Sequence, residues 1–98
     1  MDSDPERVVR NARLYFGKDV PIYRSTRPKK KFMVQRPDGK WIHFGEKGYQ
    51  DFTAHLDKTR QLNYINRASS IKGDWKHDMY SPNNLSLAIL WEYVSDRS

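Results

Sequence analysis

Pro37-Asp38-Gly39 stands between two runs rich in β-branched and aromatic residues, Lys31-Phe32-Met33-Val34-Gln35-Arg36 and Lys40-Trp41-Ile42-His43-Phe44. An Asp-Gly pair tolerates the positive φ of a tight hairpin turn, and the flanking runs suit the pleated, half-buried surface of a sheet. The sequence therefore predicts an antiparallel hairpin near the middle of the chain. Side chains alternate along a strand, so Trp41 and His43 fall on one face and Ile42 and Phe44 on the other. Upstream, Val20-Pro21-Ile22-Tyr23 reads as a short extended piece. Pro21 confines it to a sheet edge or an irregular lead-in.

Helical signals flank this centre. Ser3 or Asp4 can cap a helix with Pro5 in its first turn. Val8, Val9, Ala12 and Tyr15/Phe16 then form an apolar stripe, and Gly17 ends it. A helical turn is expected within 49–55. A clearer helix starts at the cap Asp57, with Leu62, Ile65 and Ala68 as its apolar stripe. Residues 69–81 read as a loop anchored by Trp75 and Tyr80. Ser81-Pro82 then opens the most apolar stretch, which contains Leu85, Leu87, Ile89, Leu90 and Trp91. A helix apolar nearly all round belongs in a core or against another subunit, and these five residues are read as a docking helix.

The fold class that follows is α+β. One small domain spans 1–98, with a hairpin or three-stranded antiparallel sheet and two to three helices. Residues 1–19 form an N-terminal helix or arm, 20–48 the basic segment and hairpin, and 49–98 the helical part. Ninety-eight residues leave room for one modest core, and 13 % aromatics is too many for a disordered chain. The chain has no Cys, which excludes disulfides, thiolate metal sites and Cys nucleophiles. Met1 leads into the acidic Asp2, Asp4 and Glu6, so no secretory leader is expected. The longest apolar run, 85–91, is too short for the roughly 20 residues of a membrane span.

The net charge of +6 is concentrated in one place. Arg24, Arg27, Lys29, Lys30, Lys31, Arg36 and Lys40 lie in one segment opposed by Asp38 alone, so that segment accounts for the whole excess. Such a block marks a surface for a polyanion or an acidic partner. Basic residues interleaved with rings are what a nucleic-acid surface uses, cations holding phosphate while exposed rings stack on bases. At least two of Phe32, Trp41 and Phe44 are expected in the core.

Catalytic chemistry has little support. Asp51, His55 and Asp57, with His43 on the preceding strand, offer an acid/base or metal group, but the spacing matches no metal or nuclease motif. The simpler reading gives Asp51 and Asp57 backbone amides at turns and helix starts, with His55 bridging them. Gly45 and Gly48 around Lys47 lack the spacing of a phosphate loop, and Ser69, Ser70 and Ser81 lack a base. No enzyme activity, metal or other cofactor is expected.

The ordered series Trp41-Ile42-His43-Phe44-Gly45, Gly48-Tyr49, Asp51-Phe52-Thr53, His55, Asp57, Arg60, Tyr64-Ile65, Arg67, Trp75 and Leu90-Trp91 resembles a family of small basic proteins. That family is encoded by large double-stranded DNA viruses, the phycodnavirus-like and giant viruses. The resemblance covers residues 30–91 and implies a viral origin without a catalytic role. The functional expectation is a non-enzymatic minor capsid or virion-associated protein. It would bind neighbouring capsid proteins in multiple copies per particle, and be found in virions and in host cytoplasm or nucleus during assembly. The alternative is a small basic protein that coats or condenses viral DNA without sequence preference.

Overall fold

In the computed structural model, which describes residues 3–93, the hairpin consists of β2 (Lys30–Gln35) and β3 (Trp41–Glu46). Arg36 N–H donates to Lys40 O at 2.8 Å and Gly39 N–H to Arg36 O at 2.9 Å, with Gly39 at φ +89°. A third strand, β1 (Ile22–Arg24), pairs antiparallel with the other side of β2, giving the order β1-β2-β3. Pro21 thus stands at the end of an edge strand, where its O accepts from Gln35 N–H at 3.1 Å and its missing N–H leaves that pair one ladder bond short. Cross-strand rows alternate between faces. Ile22-Val34-Ile42 and Phe32-Phe44 look into the core, whereas Tyr23-Met33-His43 and Gln35-Trp41 look the other way.

The helices gather on the first face. Helix α1 (Pro5–Phe16) is capped by Asp4, whose carboxylate accepts from Glu6 N–H at 3.1 Å, and ends at Gly17 in the left-handed conformation. It buries Val8 and Ala12, but Val9 turns outward and is 45 % exposed. A short helix α2 (Phe52–His55) follows the cap Asp51, and α3 (Lys58–Ser69) follows the cap Asp57. On α3 the expected stripe holds at Ala68, which is buried, and at the half-buried Ile65, but fails at Leu62. Leu62 is 59 % exposed, and Tyr64 packs inward instead, its ring stacked at 4.1 Å on Trp91. The segment 69–81 contains a 3₁₀ turn (Asp74–His77). It is anchored as expected, with Trp75 Nε1 donating to Ile71 O at 2.7 Å and Tyr80 stacked on Phe16 at 5.2 Å.

The C-terminal segment corrects the docking expectation. Ser81 caps α4 (Pro82–Leu85), which runs on into one π turn over Ser86–Leu90, where Trp91 N–H reaches back to Ser86 O at 3.1 Å. Leu85, Leu87, Ile89, Leu90 and Trp91 are all buried in this chain's own core, together with Val8, Ala12, Phe32, Val34, Phe44 and Phe52. An apolar helix must bury every face, and a domain this small has no other core for the sheet to close on. No docking surface is left on these five side chains. The described residues contain four α-helices, more than the two to three expected, because the helical part is broken at Leu56 and at Ser70.

Two contacts tie the last described turn into the fold. Glu92 accepts from Arg7 Nε and Nη2, both at 2.7 Å, and from Asn11 Nδ2 at 3.1 Å. Burial would raise its carboxyl pKa, but the bonds from Arg7 and Asn11 outweigh burial and hold it below the ordinary value. Gly45, at φ +78°, lets β3 approach the π turn: a Cβ there would lie 2.6 Å from Leu90 Cδ1. Met1 and Asp2, which carry the expectation of no leader, lie outside the described residues, as do residues 94–98 of the single-domain assignment.

Candidate binding surface on the sheet

The only catalytic-looking group of the sequence is a structural joint. Asp51 is 2 % exposed, and its carboxylate accepts from Thr53 N–H and Lys31 Nζ at 2.9 Å each, from Thr53 Oγ1 and from Ser3 Oγ. Every carboxylate oxygen is thereby engaged, so Asp51 has no free lone pair aimed at a substrate. Asp57 accepts from Thr59 and Arg60 N–H, as expected of a helix cap. His55 does not bridge the two acids. Its Nδ1 accepts from Asp57 N–H at 2.9 Å, its ring lies between Phe52 and Trp91, and its buried Nε2 has no partner. Among the described residues no three His, Cys, Asp or Glu side chains converge to hold a metal ion.

Burial lowers the pKa of His55 below the ordinary 6.5; the charge of Arg60 adds to this, while Asp57 and Asp51 oppose it. His43 is lowered in the same way, by burial and by Arg27. A depressed histidine contributes stability above its unfolded value and loses it as pH falls through its folded one. The melting temperature is therefore expected to drop between about pH 7 and 5. His55→Asn, which keeps an acceptor for Asp57 N–H, should flatten that drop. An unchanged slope in the double variant His43→Asn, His55→Asn would take the histidines out of the acid response.

The basic segment does not form one patch. Lys31 is withdrawn into the Asp51 joint and Lys30 lies 3.6 Å from Glu46. Arg36 pairs with Asp38 at 3.5 Å and covers the Tyr80 ring, while Arg24 lies over Phe32. Arg27 and Lys29 stand exposed in the turn between β1 and β2, and Lys40 stands exposed where the hairpin turn enters β3. Among the described residues none of these last three has an ion pair. A charge run along a strand must divide between two faces, which is why the block disperses.

What the fold assembles instead is an uncovered sheet face. Phe32 and Phe44 are core, as expected of two of the three rings, but Trp41 is half-buried on the other face. There its ring lies 5.9 Å from that of Tyr23, which is 60 % exposed, with Met33, Gln35 and His43 beside them. His43 Nδ1 and Ser25 Oγ share a hydrogen bond of 2.7 Å, which fixes the imidazole at the Arg27 end. Tyr23 lies outside the basic block and its interleaved rings; the signal for it in the sequence is the alternation Ile22, Tyr23, Arg24. Beside this face, Arg27, Arg36 and Lys40 join Trp41, Trp75 and Tyr80 around a groove of about 560 Å³. Among the described residues no helix is long and apolar enough to cross a membrane.

No curated protein and no solved structure matches the chain. Residues 20–68 match the model of DUF5754, a family of unknown function. That stretch holds all three strands, the Asp51 joint, α2 and nearly all of α3. Because the match spans half of the sequence and contains the whole sheet, the chain belongs to the DUF5754 family.

Proposed function

We propose that this protein is a non-enzymatic nucleic-acid-binding module that holds a single strand on the open face of its sheet, the coating role that the basic composition suggests. The observation that carries this is the pair Tyr23 and Trp41, side by side on the helix-free face with the unpaired Arg27 and Lys40 beside it. Rings of this kind stack on bases of any sequence, and neighbouring cations hold phosphates. The fully bonded Asp51 leaves this face as the main source of free polar and aromatic chemistry. Binding of this type is sequence-tolerant and falls steeply with salt.

Fluorescence anisotropy with a labelled oligothymidine tests it. Trp41→Ala, or Tyr23→Ala, should weaken binding by about tenfold or more, the expected loss of one base–aromatic stack. Arg27→Glu and Lys40→Glu should each reduce the salt slope by about one. Unchanged affinity in the Trp41→Ala, Tyr23→Ala double variant would overturn the sheet-face assignment.

A second reading, a minor capsid or virion-associated protein of a large DNA virus, is supported by apolar side chains left outside the core. Leu14 is 73 %, Leu62 59 % and Ile71 52 % exposed. In this form of the reading those residues meet neighbouring capsid proteins, in place of the buried C-terminal helix. Peptide counting on virion fractions separates the two: recovery at a fixed ratio with stripped shells favours the capsid role, and salt-released recovery with the core favours genome binding.

A further inference from the structure

Strand β3 is an edge of the sheet, and its outward backbone is unpaired. Gln35 N–H bonds Pro21 O at 3.1 Å and Ser25 N–H bonds Lys31 O at 3.0 Å, so odd-numbered residues of β2 serve β1. Antiparallel ladders alternate, so the even residues of β2 serve β3, which takes them with Ile42, Phe44 and Glu46. The N–H and C=O groups of Trp41 and His43 consequently point away from the sheet, up to Gly45, where φ +78° ends the regular ladder. Among the described residues nothing bonds them. The other edge, β1, is three residues long, whereas β3 has six.

The space beside this edge is a trough, not open solvent. The groove at Trp41–His43 continues into a second cavity of about 770 Å³ at Gly45–Glu46, and Trp75, Ser81 and Pro82 line both. One wall is the unpaired strand; the other is the 3₁₀ turn and the start of α4. Cations stand at both ends, Arg27, Arg36 and Lys40 at one and Lys30, Arg60 and Arg67 at the other. They outnumber the acids along it: Asp74 and Asp78 on the far wall, Glu46 paired with Lys30, and the consumed Asp51.

We infer that the β3 edge receives an extended acidic segment of another polypeptide as a fourth strand. Main-chain bonds to Trp41 and His43 hold it, and its side chains alternate across the sheet plane. One set falls against Trp75, Tyr80 and Pro82, which favours apolar residues. The other set falls beside His43 and Arg27, which favours Asp or Glu. Charge complementarity selects the acidic partner over a second copy of this chain, whose net charge of +6 would repel it. This edge adjoins the sheet face assigned to nucleic acid and shares Trp41, Arg27 and Lys40 with it, so the two kinds of partner are expected to compete.

The probe is a capped eight-residue peptide of alternating Glu and Val, titrated into the full chain by two-dimensional NMR with amide hydrogen exchange. Binding should slow exchange at Trp41 and His43. The same peptide N-methylated at alternate residues, which has the same charge but cannot pair, should bind at least tenfold more weakly. Equal binding of the two peptides would reduce the contact to electrostatics and overturn strand addition, as would no binding of either. Protection of those two amides by raised protein concentration alone, or by oligothymidine, would assign the edge to self-pairing or to nucleic acid and overturn the acidic peptide.

Discussion

Replacing Leu87 and Leu90 by Asp is expected to leave no folded protein. Both side chains are 2 % exposed, and Leu90 lies against Gly45 at the centre of the contact between the π turn and the sheet. Each substitution removes a packed aliphatic group, about 2–5 kcal/mol for a buried leucine, and puts a carboxylate in its place in the core. Two such changes exceed the roughly 5–15 kcal/mol that holds a domain of this size together. Circular dichroism and the loss of amide dispersion would report it. Leu62→Asp, at a position 59 % exposed, is the matched control and should fold normally. A folded Leu87→Asp, Leu90→Asp variant that had merely lost a partner would restore the docking helix and refute the core described above.

The second large effect is expected from Asp51→Ala. This carboxylate joins three separate pieces of chain: Ser3 ahead of α1, Lys31 on β2, and Thr53 in the first turn of α2. Its removal leaves the Lys31 ammonium, with 13 % of its side chain exposed, without its ionic partner, and leaves Thr53 N–H without its cap. Breaking a buried pair from one side costs about 3 kcal/mol or more, and the lost cap adds about 1 kcal/mol. At about 4–8 °C per kcal/mol, the melting temperature should fall by some 15 °C or more. Asp51→Asn keeps acceptor and shape and should lose less. If Asp51→Ala melted within about 3 °C of the parent, the joint would be incidental.

Local signals in the sequence were legible because their causes are local. The Asp38-Gly39 turn, the caps at Asp4, Asp57 and Ser81, and the stop at Gly17 each depend on a few neighbouring residues. The site was harder to read. Lys29, Lys30 and Lys31 look like one cationic run, yet adjacent strand residues point to opposite faces, and Lys31 meets an acid twenty positions away. On α3, the three-to-four spacing puts Leu62 on the inward stripe with Tyr64 at its flank. The choice fell to Tyr64 because Trp91, which stacks on it, arrives from the far end of the chain. The free edge of β3 was also hidden, since a hairpin does not say on which side a third strand will add.

The placement of the central apolar segment also bears on how the chain acquires its structure. The sheet and α1 precede it, but the side chains that seal them together come from 85–91. During synthesis, at about 5–20 residues per second, the hairpin and α1 emerge seconds before the segment that covers them. Until then Phe32, Val34 and Phe44 lack most of their native neighbours, and the sheet presents an uncovered apolar face. Closure is consequently a late, long-range event, and a ribosome stalled before Leu85 should expose an aggregation-prone sheet that the finished chain conceals.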